Sequence, residues 1–309
     1  MKDFTVKLDA IIDALDLFFD LEGLERDPGF SQFLPTTYEE IGYGWRENFE
    51  PSFVRSFNGL MLRGGPDVSQ VFMAAFPTEE VLREFIRRAA PGDLFFTHHP
   101  IDMRCGDPQG EWAPAAWVAI KPETIEALRQ RELSFYSMHT PLDYHPRVST
   151  SNAMANALRV EVEGSFARFG NGDVGLYGKV LPQSYDALVE KLKGIFKVPY
   201  LDVEGPKHAK IERIAVIAGC GDVVELMQVA EAQGVQAYIS GEIHCHINTE
   251  YGRMRYQQMM DYVKVTSMSL IGVSHAASEF LIMENEMSEW FKHRFSLPSH
   301  CIAESRWWR

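Results

Sequence analysis

Cysteine is scarce in this chain: four in 309 residues, at positions 105, 220, 245 and 301, with no CxxC pair among them. Such spacing argues against a disulfide framework or a thiolate zinc site and fits a reducing cytoplasm. Long hydrophobic runs are also missing. No stretch approaches the ~18–20 apolar residues that cross a bilayer, so a membrane-spanning protein is not expected. The N-terminal segment carries acidic residues through its apolar part, which a secretory signal does not tolerate. Its stripe of Ile11, Ile12, Leu15, Phe18 and Phe19 predicts an amphipathic helix within residues 1–23. Positive charge is in deficit, with 30 Lys+Arg against 43 Asp+Glu and a formal net charge of −13. That field repels phosphate backbones, so nucleic acid is not an expected partner.

What is present is a folded chain's composition: 46% hydrophobic residues, with 20 Phe, 11 Tyr and 6 Trp. Two stretches alternate strand and helix in the manner of α/β units. The first predicts a strand over Val71–Phe76, a helix over Thr78–Arg88 capped by Thr78, and a strand over Asp93–Thr97 running into His98-His99-Pro100. The second predicts a strand over Ile211–Ala218, a turn at Gly219–Asp222, a helix over Val223–Gln233 stopped by Gly234, and a strand over Val235–Ser240. It leads to Gly241-Glu-Ile-His-Cys-His246. A helix over Lys121–Arg131 and a strand over Ser134–Met138 are expected as well, and residues 22–50 and 101–116 read as loops. Ligands of such sheets gather at the carboxyl ends of strands, where both histidine clusters fall.

His98 and His99 are neighbours, and strand alternation sends neighbours to opposite faces. They converge on one site only if the chain bends, which Pro100 encourages; otherwise they are ordinary loop histidines. Asp143, just past the expected Ser134–Met138 strand, is either a metal ligand or a turn-forming side chain. His275 and Glu279 stand four apart, on one face of a helix, as a ligand pair or as a solvated polar pair. These five nitrogen and oxygen donors suffice for two divalent cations completed by water. Imidazole and carboxylate suit Zn, Fe(II), Mn or Ni without choosing among them. Two metals about 3.5–4 Å apart activate water near neutral pH and polarise a phosphoryl or carbonyl oxygen, so hydrolysis is the natural chemistry.

The motifs FTHHP at 96–100, HTPLD at 139–143, IAGCGD at 217–222, YISGEIHCH at 238–246 and SHAASE at 274–279 together resemble the Nif-three-like family, often labelled type-two GTP cyclohydrolase I homologues. Phe57-Asn58-Gly59-Leu60 looks like a variant of that family's DNxGL segment. The resemblance implies two similar α/β domains with mixed sheets flanked by helices, a metal site in the cleft between them, and a homohexameric ring. It also implies metal ligation by His98, His99, Asp143, His275 and Glu279. The expected boundaries are 1–137 plus 264–309 for one domain and 138–263 for the other. Departures from the family are Pro141 where Asn is usual, Phe57 at the acidic DNxGL position, and a long Glu250–Leu270 segment.

Beside the ligands, the resemblance puts His139 at the cleft, where it would orient a ligand or move protons. Glu242, with His244 and His246, would form a neighbouring cluster with Glu242 as a general base. Gly219-Cys-Gly-Asp222 would seat a phosphate or simply supply a tight turn. The expected function is therefore a cytoplasmic, dinuclear-metal hydrolase of a small phosphorylated or nucleotide-type substrate. The alternative is a non-catalytic protein that stores or delivers metal or regulates a partner.

Overall fold

The computed structural model describes residues 4–308, so the first three residues of the expected N-terminal helix lie outside that range. The helix itself is Leu8–Phe18, with Leu8, Ile11 and Leu15 buried. Among the described residues, no helix is long and apolar enough to cross a membrane.

The chain forms two compact α/β units. One comprises the chain up to Met103, Trp117–Leu142 and Met283–Ser305; the other comprises Arg104–Ala116, Asp143–Ile282 and the last residues from Arg306. The first unit holds a five-stranded mixed sheet in the order Ser299–Cys301, Val71–Ala74, Leu94–Thr97, Ser134–Ser137, Gly59–Leu62. Its first four strands are parallel and the last antiparallel. The three central strands are buried along their whole length, as parallel strands covered on both faces must be. Phe72, Phe85, Phe95 and Phe135 belong to one core, with the Phe85 and Phe95 rings stacked at 4.8 Å. The crossover helix is Glu79–Arg88, and Thr78 caps it by accepting from the Val81 amide, as expected.

Residues 22–50 are not loop. Phe30–Glu40 is a helix despite Pro35 within it. Phe30, Leu34, Thr37 and Tyr38 recur at helical spacing and are buried, so packing of that face outweighs the one backbone hydrogen bond proline removes. Short turns of helix follow at Trp45–Asn48 and Pro51–Ser56.

The second unit holds a six-stranded mixed sheet in the order Asp202–Glu204, Ser269–Gly272, Ala237–Glu242, Ile211–Cys220, Gly172–Gln183, Glu161–Phe169. The Ser269–Gly272, Ala237–Glu242 and Ile211–Cys220 strands are parallel neighbours; the remaining pairings are antiparallel. This corrects the expected boundaries. Residues 264–282 belong to the second unit, because the Ser269–Gly272 strand pairs with Ala237–Glu242 inside its sheet. Residues 104–116 join that unit too, tied by the Ala113 amide to the His246 carbonyl at 2.8 Å.

Candidate metal centre

In the first unit, the Leu94–Thr97 strand stops one residue before His98, and the chain bends there as the following proline suggested. Thr97 Oγ1 donates to the His99 carbonyl at 2.7 Å across the bend. His98 and His99 are both buried, with ring centroids 4.8 Å apart. His98 Nδ1 lies 2.9 Å from the Met138 carbonyl, which can only accept, so Nδ1 carries a proton. A hydrogen bond of this kind fixes the orientation of an imidazole that could ligate a metal. His99 packs against Phe76, 4.1 Å between centroids, and edge-on to Phe30.

His139 joins these two. Its ring lies 4.9 Å from His98 and 5.0 Å from His99, and one nitrogen from each of the three falls within 4.8 Å of the others. Its Nδ1 donates to Asp27 Oδ2 at 2.7 Å, and its backbone amide donates to Asn58 Oδ1 at 2.7 Å. Asp27 is almost fully buried and also accepts from the Thr140 hydroxyl and from the amides of Gly29 and Phe30. Burial alone would raise its pKa. The charge of His139 and these hydrogen bonds outweigh that and hold the carboxyl well below its ordinary range. Asp27 was not foreseen; its only signal is Asp-Pro-Gly ahead of an apolar helical stripe, which reads as a turn.

In the second unit, His275 opens the helix His275–Ile282, all of whose residues are buried, and Glu279 lies one turn further on. The expected pairing is present, with His275 Nε2 2.9 Å from Glu279 Oε1, on a buried rather than a solvated face. Burial opposes charge on His275, but the Glu279 carboxylate prevails and raises the pKa well above the usual imidazole value. A cation taken up here would compete with that proton, so its binding would weaken in acid. The preceding Ser274 has φ +82°, a strained conformation for a residue other than glycine, and its hydroxyl is held by the Trp307 carbonyl at 2.5 Å. Asp143 Oδ1 accepts from Thr150 Oγ1 at 2.9 Å, and carboxylate oxygens of Asp143 and Glu279 come within 4.8 Å.

Gly219 keeps space open at this pair. A Cβ there would stand 2.5 Å from Glu279 Oε1 and 3.1 Å from His275 Nε2, and φ is +70°. The phosphate seat considered for Gly219–Asp222 does not form as a strand-turn-helix. The strand runs through Cys220, and the helix Val224–Glu231 begins only after Val223.

The expected cluster of Glu242, His244 and His246 is split. Glu242, at the end of its strand and in register with Cys220, places Oε2 3.5 Å from His275 Nδ1. Beyond it the chain leaves the sheet, and His244 turns to Asp202 instead, 2.7 Å away. The sulfurs of Cys105 and Cys220 each lie 3.5 Å from His275 Nδ1, a proximity their distance in sequence gave no hint of. Burial pushes the Cys105 thiol well up, which keeps it protonated and a poor ligand.

Residues 55–305 match the family described as Duf34/NIF3 (NGG1p interacting factor 3). The chain is 24% identical over 201 residues to a GTP cyclohydrolase 1 type 2 homolog from Vibrio cholerae serotype O1, covering 64% of this chain and 75% of that one. It is 22% identical over 241 residues to a protein of the same name from Yersinia pestis, covering 78% and 86%. Among solved structures its fold is similar to that of protein ybgI, of unknown function, with TM-score 0.65 and 17% identity over 98% of this chain and 100% of that one. Reduced HcgD from Methanocaldococcus jannaschii is similar at TM-score 0.62 and 15% identity, over 98% and 100%. With the family pattern extending over most of its length, the chain belongs to the Duf34/NIF3 family.

Proposed function

We propose that the protein is a metal-dependent hydrolase of a small phosphorylated or nucleotide-type substrate, with His98, His99, Asp143, His275 and Glu279 as ligands to two divalent ions. The observation that carries this reading is the fixed ring of buried His98, whose Nδ1 donates to the Met138 carbonyl at 2.9 Å, as the orienting hydrogen bond of a metal-binding imidazole does. The space kept clear by Gly219 beside Glu279 and His275 supports it. Zn, Fe, Mn or Ni suits such nitrogen and oxygen donors. When bound, the ions supply Lewis acidity toward a phosphoryl or carbonyl oxygen and lower the pKa of water.

The chain's own residues then divide the work. Asp27 orients the ring of His139, which in this reading takes up or returns a proton. Glu242, a buried carboxylate facing His275, is the second proton-handling group in this reading. The protein works in the cytoplasm as a homohexamer, without nucleic acid or membrane as partner; mass measurement in solution tests the assembly, and a stable monomer at micromolar concentration would remove it.

Elemental analysis is expected to find these five donors holding close to two ions per chain. Asp143→Ala or Glu279→Ala is expected to release at least one while the fold persists. A chain that carries no metal and takes up no Zn, Mn or Fe(II) would defeat the proposal. Metal binding without turnover across a panel of phosphoesters and nucleotides would favour storage, delivery or regulation.

A further inference from the structure

Outside these residues, the second unit holds another group of donors. His244 and His246 follow the Ala237–Glu242 strand, and Asp202 opens the short edge strand Asp202–Glu204. Each offers one ligand atom, and the three atoms lie within 4.8 Å of one another. The histidines are 3% and 5% exposed, far less than surface imidazoles. Asp202 Oδ2 accepts from His244 Nδ1 at 2.7 Å, while His244 Nε2 is buried with no hydrogen-bond partner among the described residues. A buried imidazole nitrogen left in this state is unfavourable unless something else binds it. Glu204 Oε1 stands 3.9 Å from that nitrogen, beyond hydrogen-bond range. Tyr256 packs on both rings, 5.0 Å from His244 and 5.7 Å from His246, and Trp112 stands 5.6 Å from His246.

We propose that Asp202, His244 and His246 form a separate binding site for one divalent transition ion of the zinc class. Two imidazoles and one carboxylate are the donors such ions take, whereas calcium and magnesium prefer all-oxygen shells. Asp202 on His244 Nδ1 has the geometry of a carboxylate that orients a metal-binding histidine, and it serves the site either in that role or by direct ligation. With Asp202 ligating directly, three protein donors leave the fourth position of a tetrahedral ion to water or to a ligand.

The test is zinc titration of the metal-stripped full chain, parent against His244→Gln, with circular dichroism to check the fold. The variant is expected to bind one equivalent fewer than the parent, and Asp202→Asn to bind that equivalent roughly 10–100-fold more weakly. The difference between the chains carries the result, so it is independent of whether the two-ion reading stands. Equal stoichiometry in parent and His244→Gln would overturn the proposal. Because a buried substitution can disturb folding, the parent is also examined by anomalous diffraction at the zinc edge. A peak within about 2.3 Å of nitrogens from both His244 and His246 is expected; no peak there at saturating zinc would overturn the site.

Discussion

Asp27→Ala is expected to destabilise the metal-free protein by about 2–5 kcal/mol, read from denaturant unfolding. The carboxylate is buried and serves His139, Thr140 and the amides of Gly29 and Phe30 at the entry to the helix Phe30–Glu40. Alanine removes the acceptor from all four and leaves an imidazole and a hydroxyl without their partner in the interior. The variant also changes the acid limb of stability. The folded-state pKa of Asp27 lies well below its ordinary 3.8, so the unfolded chain binds this proton first as pH falls. Its contribution is fully present above about pH 4 and is lost as pH drops toward the folded value. The parent is therefore expected to lose stability below about pH 4 more steeply than Asp27→Ala. A loss smaller than about 1 kcal/mol at neutral pH, or parallel acid limbs, would show that the carboxylate does not hold this part of the fold.

His139→Ala, once a substrate is known, is expected to lower kcat by roughly 10²–10⁴-fold, the usual effect of losing a positioned proton-transfer group. Metal content is expected to stay near that of the parent. The structure makes this a sharp division, because His139 lies within 5.0 Å of both His98 and His99, ring centre to ring centre. Full kcat in the variant would exclude proton transfer by His139. Loss of an ion would instead make it a ligand, with Asp27 as the carboxylate that orients a metal-binding imidazole.

Much of this molecule was legible locally. Thr78 ahead of two glutamates announced the Glu79–Arg88 helix, and runs such as Leu94–Thr97 announced buried strands, because caps and periodicity act over a few residues. The same locality made the His275–Glu279 pair readable from its spacing. The helix Phe30–Glu40 was missed because Pro28, Gly29 and Pro35 are the residues of turns, and only the burial of its apolar face overrides them.

By itself the sequence determined the family and the two histidine clusters that follow the Leu94–Thr97 and Ala237–Glu242 strands, since each of these is written in short motifs. Tertiary structure alone decided which groups stand beside the histidines. Asp27 reaches His139 across 112 positions, Asp202 reaches His244 across 42, and Cys105 reaches His275 across 170. Nothing in local propensity encodes such partners, because strand pairing and the burial of apolar faces bring them together. It is the low-dielectric interior made in this way that gives a carboxylate beside an imidazole its strength.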